Sequence, residues 1–258
     1  MLTFVGLGLY DERDITLRGL EAIRSAEFVY LEEYTSRLGG CNREKLEGVF
    51  GRKVLPATRT DIENDPEEIL RRAASSDVVL LTGGDPMSAT THIDLRLRAH
   101  DRGIKTRIIH APSIFTAVAG ITGLSSYKFG KSATISYPWG ERGVISEVPY
   151  DTIKINRAHG LHTLLLLDIS NGRCMRIHEA LKILSMLEEK RDEGVVDNLL
   201  FVGVARAGSE DMTVKAGDLE TLMHFDFGPP LHVLVAVGEL HFIEHEALVK
   251  FAGLKGDL

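Results

Sequence analysis

The stretch FVGLGLYDERDIT, Phe4 to Thr16, passes from an apolar segment through Gly-Leu-Gly into a turn and a helical pattern. That order opens an α/β unit: a buried strand, a tight glycine turn, and a helix returning over the sheet. The spacing is nearly the dinucleotide fingerprint G-x-G-x-x-G, but the third glycine would fall at position 11, which is Asp11. A pyrophosphate in such a site rests on the helix N-terminus, drawn by free N–H groups and the helix dipole. Asp11, Glu12 and Asp14 crowd that position and would repel it. The imitation extends to an acid at the end of the next strand, Glu32 or Glu33, where a ribose-binding carboxylate would stand. Electrostatics still weigh against NAD or FAD. Two readings are left: a plain strand-to-helix turn, or a site where glycines let some other ligand approach the backbone.

Outward from this stretch the alternation continues. Leu2 to Leu7 reads as a strand, and Leu17, Leu20 and Ile23 predict a helix from Asp14 to Ser25. FVYLEEY (Phe28–Tyr34) is a second strand, and SRLGGCNREK a loop leading into a short helix. ENDPEEILRRAASSD predicts a helix capped by Asp65, with Pro66 in first position and Glu68 completing a capping box. DVVLLTGGDP is a strand halted by glycine and proline; a helix over His92–Arg102 and the strand KTRIIHAP follow. Strand–helix alternation of this kind makes a parallel, helix-covered sheet. The second half adds a small-residue helix (SIFTAVAGITG) and the strands SATISYPW and GLHTLLLLDI. A helix faced by Ile177, Ala180, Leu181, Leu184 and Leu187 comes next, then a hairpin turning at Ser209–Asp211, the strand PPLHVLVAVG and a last helix, HFIEHEALVKFAG. Hairpins imply a mixed sheet. The expected class is α/β in two domains: residues 1–112 with a mostly parallel sheet, and 113–258 with a mixed one.

The 258 residues include 44% hydrophobic and 26% charged side chains, enough apolar material for a core without disulfides. Two isolated cysteines, Cys41 and Cys174, point to a reducing compartment, with a single disulfide between them left open. A net charge of −7 and no lysine or arginine block argue against nucleic-acid binding. No apolar run approaches the roughly 18–20 residues of a membrane span, and the start has no basic signal-peptide region. The expected location is cytoplasmic, with no membrane partner.

Several stretches could carry chemistry. TGGDPMSATTH (Thr82–His92) follows a buried strand, where parallel sheets bind ligands at their carboxyl ends. Gly83 and Gly84 remove side chains, Asp85 offers a carboxylate, and Ser88, Thr90 and Thr91 can contact a ligand or cap the next helix; a plain capped turn is the alternative. HFIEH (His241–His245) has the H-x-x-E-H spacing of a zinc protease, but Glu246 and Asp257 are poor third ligands, and a core-facing helix explains the pattern. No metal is expected. His232 sits early in a strand, where a lone histidine is usually structural, and Asp168 ends the leucine strand. There is no G-x-S-x-G elbow and no paired-cysteine motif.

Taken together, GLGLYDERDIT, YLEEYTS, GDPMSATTH, Ser113-Ile114, YKFG (127–130), GLHTLLLLDI, VGVARAGS and PLHVLV resemble the diphthine synthase family, within the tetrapyrrole-methylase superfamily of S-adenosylmethionine-dependent methyltransferases. The likeness runs nearly end to end. GDP alone marks the superfamily; YLEEYTS, YKFG and the full GDPMSATTH mark the narrower family. The resemblance implies two α/β domains of the tetrapyrrole-methylase type, with S-adenosyl-L-methionine in the cleft between them and S-adenosyl-L-homocysteine as product. It implies successive methylation of the amino group of a 3-amino-3-carboxypropyl-modified histidine of elongation factor 2, giving diphthine in diphthamide biosynthesis. It implies a homodimer as well. Carried over by position, cofactor contacts come from Leu9, Asp85, Ser88, Ser113, Ile114, Leu167, Ala207 and His232. The chain departs from many relatives at Ser170, where they carry lysine, and in its short SNGRCMR stretch; both touch the substrate side.

The cofactor carries a sulfonium and an ammonium but no phosphate, so an acidic, glycine-rich site suits it better than it suits NAD. Asp85 could pair with its amino group or simply accept hydrogen bonds. Methyl transfer asks mainly for alignment of amine, carbon and sulfur, and the attacking amine must first lose a proton. Asp168 and His110 are candidate acceptors; the catalytic residue stays unassigned. The other readings are a corrinoid or other tetrapyrrole methyltransferase, a dinucleotide-dependent oxidoreductase, and a non-catalytic adaptor of the translation factor.

Overall fold

The computed structural model describes residues 1–140, 143–170 and 172–256; Asn171, in the SNGRCMR stretch, and Asp257 lie outside the described residues. The chain divides into two compact units, Met1–Ile114 and Phe115–Leu258.

In the first unit five strands, β1 (Leu2–Gly6), β2 (Phe28–Glu32), β3 (Leu55–Ala57), β4 (Val78–Thr82) and β5 (Thr106–Ile109), form a sheet of order β3-β2-β4-β1-β5. Every pairing is parallel. Successive side chains of a strand point to opposite faces, and that alternation sorts the core. Leu2, Phe4, Tyr30, Val78 and Leu80 pack with Ile69, Leu70 and Ala73 of α3 (Glu67–Ser75) and with Leu95 and Ala99 of α4 (His92–Asp101). Val5, Val29, Leu31, Val79 and Leu81 pack the other way, against Ile23 of α1 (Leu17–Ser25) and Leu46 and Phe50 of α2 (Arg43–Phe50). The chain leaves β1 toward β2 and leaves β4 toward β5, in opposite directions across the sheet. The carboxyl ends of β1 and β4 therefore form the switch point at which such sheets bind ligands.

The second unit begins along α5 (Ile114–Thr122). Its sheet has the order β11-β10-β12-β7-β6, built from β6 (Ala133–Ile135), β7 (Thr163–Leu167), β10 (Phe201–Ala205), β11 (Thr213–Gly217) and β12 (His232–Ala236). Only the β6–β7 pairing is parallel among these. A two-stranded ribbon, β8 (Ile169–Ser170) with β9 (Arg173–Cys174), follows β7. One face is covered by α6 (Val148–Ala158) and α7 (Ile177–Arg191), through Tyr150, Ile153, Leu181 and Leu184. Helices α8 (Leu219–His224) and α9 (Phe242–Ala252) contact β11. Cys41 and Cys174 are free thiols. Among the described residues no helix is long and apolar enough to cross a membrane.

Two expected helix starts need correction. The first helix begins at Leu17, not Asp14, because Thr16 Oγ1 accepts from Gly19 N and caps it there, while Glu12–Asp14 forms a separate tight turn. Asp65 does not cap α3: Pro66 holds the cap position without a side-chain bond, and the Asp65 amide donates to Thr60 O in a turn of its own. Strand β3 and helices α6 and α8 lie in stretches to which the sequence analysis assigns no element, and the β8–β9 ribbon begins at Ile169, the last residue of the predicted strand GLHTLLLLDI.

Candidate active site

The loops after β1, β4 and β5 are stitched together in the first unit. Gly8 and Gly84 exchange backbone bonds, Gly84 N to Gly8 O at 2.7 Å and Gly8 N to Gly84 O at 3.3 Å. Gly6 is required by the approach: a Cβ there would lie 2.5 Å from Gly84 O and 2.7 Å from Ala111 Cβ. Gly8 and Gly84 both have positive φ, 86° and 72°, the left-handed region that glycine adopts freely. In front of Gly84 the Cβ direction opens on empty space.

The acids of the first stretch have specific tasks. Asp14 Oδ2 accepts from the amides of Leu9 (3.0 Å) and Tyr10 (2.8 Å). Asp11 accepts from Arg13 through the backbone and the guanidinium, and that partner holds its carboxyl below the usual range. Glu12 pairs with Lys45 at 2.9 Å. A phosphate at this turn would need N–H donors. Those of Gly8, Leu9, Tyr10, Gly84 and Met87 already serve protein oxygens. The donor set itself, and not only the charge, disfavours a dinucleotide.

Asp85 is buried, and its carboxylate organises the loops. Oδ1 accepts from Met87 N (3.0 Å) and Ser88 Oγ (3.4 Å); Oδ2 accepts from His110 Nδ1 (2.7 Å) and Ala111 N (3.4 Å). One carboxylate thus ties the β4 loop to the β5 exit. Ser113 is buried just beyond, and Ile114 opens α5, half-buried. Leu9, Asp85 and Ser88 are brought together here, with Ser113 and Ile114 in continuation of the same β5 loop.

Beneath the β4 loop lie His92, to which the sequence analysis gives no role, and Glu32, which it considers only as an imitation of a ribose-binding acid. His92 is fully buried, and its Nδ1 and Thr90 Oγ1 both bond Pro86 O, each at 2.9 Å. Its Nε2 is 3.9 Å from Glu32 Oε1. Glu32, also fully buried, takes the amides of Tyr34 and Thr35 and the Thr35 hydroxyl. Burial pushes the Glu32 carboxyl up and the His92 imidazole down, so both favour their neutral forms. The motifs YLEEYTS and ATTH contain these partners, which is the signal that could have paired them.

The second unit holds Leu167, Ala207 and His232. Leu166 pairs with Val233 and Ala205 with His232, so Leu167 and His232 adjoin across the β7–β12 pair, one residue beyond the first pairing. His232 is occupied at both nitrogens: Nδ1 accepts from Ile177 N (3.3 Å) and Nε2 bonds Pro229 O (3.1 Å). Burial lowers it to about 4, so it is neutral and its ring is a fixed surface. Before Ala207 stands Arg206, buried, with φ of 53°, a conformation uncommon for a non-glycine residue. Its guanidinium donates to Phe227 O, Pro229 O, Asp211 O and Thr213 Oγ1, which hold the bend that presents Ala207. Asp168 Oδ2 accepts from Tyr137 N at 3.0 Å, and its backbone bonds Ile135 and Met175.

HFIEH is a cap and an anchor. Glu244 is buried and takes Ser125 N, Lys128 Nζ, His162 Nε2 and His241 N. The lysine of YKFG meets it there, which accounts for both motifs.

This fold, a parallel α/β unit followed by a mixed one, with a glycine-bridged switch point in the first, is that of a tetrapyrrole methylase: residues 1–223 match the family described as Tetrapyrrole (Corrin/Porphyrin) Methylases. The chain is 56% identical over 256 residues to the diphthine synthase of Methanosarcina mazei, covering 98% of this chain and 96% of that protein. It is 53% identical to that of Methanocella arvoryzae, covering 99% of each. A crystal structure of diphthine synthase superposes with a TM-score of 0.90 at 47% identity, covering 98% of this chain and 96% of that one. The chain belongs to the diphthine synthases, the S-adenosylmethionine-dependent methyltransferases of diphthamide biosynthesis.

Proposed function

We propose that the chain transfers methyl groups, one after another, to the amino group of a 3-amino-3-carboxypropyl-modified histidine of elongation factor 2. The cofactor, when bound, supplies an electrophilic methyl carbon on its sulfonium. The observation that carries the reading is the glycine-bridged loop pair, in which the amides of Gly8, Leu9, Tyr10, Gly84 and Met87 already donate to protein oxygens and a Cβ at Gly84 would meet nothing within 4 Å. That set lacks the free N–H donors a phosphate needs, which disfavours a dinucleotide and favours a cationic cofactor without phosphate. We assign cofactor contacts to Leu9, Asp85, Ser88, Ser113 and Ile114 of the first unit, and to Leu167, Ala207 and His232 of the second. With its carboxylate already engaged by four protein donors, Asp85 acts on the cofactor mainly by holding Ser88 and the backbone in place. We also propose that the protein works as a homodimer, which light scattering of the purified chain tests directly.

The deciding assay incubates the protein with labelled cofactor and elongation factor 2 carrying the precursor histidine. Mass spectrometry of that residue should show up to three added methyl groups. No transfer beside an active control refutes the reading. Transfer to a tetrapyrrole but not to the protein reassigns the substrate.

A further inference from the structure

Among the described residues, His110 is the imidazole bonded to the Asp85 carboxylate, at the end of the strand that flanks the Gly-Leu-Gly turn. Its Nδ1 lies 2.7 Å from Asp85 Oδ2. A carboxylate only accepts, so Nδ1 carries a hydrogen, and in the neutral ring Nε2 carries the free lone pair. The two ends of this pair have opposite environments: the Asp85 side chain is 10% exposed, and that of His110 is 70% exposed. Asp85 is itself fixed by Met87 N, Ser88 Oγ and Ala111 N. A buried, immobilised carboxylate therefore holds one nitrogen of a ring that is otherwise exposed.

We propose that His110 is the proton acceptor of the methyl transfer, with Asp85 as its positioning residue; this rests on the function proposed above. The substrate amine arrives as an ammonium and has no lone pair to offer. It gives one proton to His110 Nε2. Its freed lone pair then forms the nitrogen–carbon bond as the carbon–sulfur bond breaks, and those electrons leave on sulfur as a thioether. The imidazolium passes its proton to water. The product, again an ammonium, repeats the exchange before the next methyl is added. Imidazole is the side chain best matched to taking and returning a proton near neutral pH. The other candidate, Asp168, has an oxygen committed to the Tyr137 amide and a backbone that ties Ile135 of β6 to Met175, just after β9. His232 has both nitrogens bonded to backbone.

The test compares His110→Asn and His110→Ala with the wild type, on elongation factor 2 bearing the precursor, with cofactor affinity measured separately by calorimetry. Asn keeps an N–H donor for Asp85 but has no basic nitrogen. Its kcat should fall about 100-fold while the cofactor Kd stays within about twofold, and added imidazole should restore part of the rate of His110→Ala. A kcat for His110→Asn equal to wild type overturns the proposal and leaves the function standing. So does a loss of cofactor affinity that matches the loss of rate, which would make His110 a binding residue. A wild type that transfers no methyl overturns both.

Discussion

Asp14 and Asp85 are both short acids at a glycine turn, and the structure gives them different work. Asp14 closes the amides of Leu9 and Tyr10, so its charge is answered within its own loop. Asp85 bridges two loops and carries His110. The sequence analysis reads the acids near Gly8 as repulsion toward phosphate; their partners, which depend on chain path, were out of its reach. Replacing Asp85 by Ala removes the acceptor for Met87 N, Ala111 N and His110 Nδ1. Charged hydrogen bonds contribute about 1.5–3 kcal/mol each. Asp85→Ala should weaken cofactor binding by about 10- to 100-fold in calorimetry while circular dichroism stays native. Unchanged affinity would remove Asp85 from the site.

Individual elements show where local pattern suffices. Strands β1, β2 and β4 of the first sheet are legible because they are predominantly apolar runs, as a sheet buried on both faces demands. Strand β3 is not: it has three residues, one of them Pro56. Helix α6 is masked by its β-branched Val148, Thr152, Ile153 and Ile155, which favour strands in isolation and are overruled by packing on β6 and β7. In β10, Gly203 lets Phe227 and Ile177 close over the strand; a Cβ there would fall 2.8 Å from Ile177 Cδ1 and closer still to the Phe227 ring. Gly203→Ala should destabilise the protein by about 1–3 kcal/mol, read as a lower urea midpoint; an unchanged midpoint would show that Phe227 can yield. Helix α9 is anchored through Glu244. Burial alone would raise its pKa, but Lys128, the His241 amide, His162 and the Ser125 amide outweigh that and bring it down to about 2. A carboxyl lowered on folding stabilises above its unfolded pKa of 4.5 and loses that contribution as pH falls toward 2. The linkage is about 3 kcal/mol. His162, lowered by burial, has the same sign. Wild-type stability to urea should therefore drop between pH 5 and pH 3, whereas Glu244→Gln, weaker at pH 7, should change less. Parallel pH profiles for the two proteins would contradict this.

At the scale of the whole molecule, helix-and-strand alternation and the glycine motifs were enough to identify an α/β chain with a parallel first sheet and a mixed second one. The family followed from motifs spread along its full length. What the motifs do could not be read from them. YLEEYTS and ATTH meet through Glu32 and His92, and YKFG and HFIEH through Lys128 and Glu244, contacts across 60 and 116 positions. A ligand that binds only the folded chain raises its stability by mass action, about 2.7 kcal/mol at a hundredfold excess over Kd. S-adenosylmethionine and S-adenosylhomocysteine should each raise the melting temperature by several degrees, and NAD should leave it unchanged. An equal shift with NAD would mean that the loop amides are open after all.

The paired glycines after β1 and β4 also bear on the crowded mixture in which such an enzyme works. Adenosine is common to the cofactor and to ATP, so recognition of the base cannot tell them apart. Where the amides of Gly8, Leu9, Tyr10, Gly84 and Met87 are already engaged, selection falls on the far end of the nucleoside: a sulfonium amino acid is tolerated and a polyphosphate tail finds little hold. Adenosine should compete with the cofactor and ATP should not. Discrimination of this kind needs no side chain aimed at the competitor, only a backbone that has already satisfied itself.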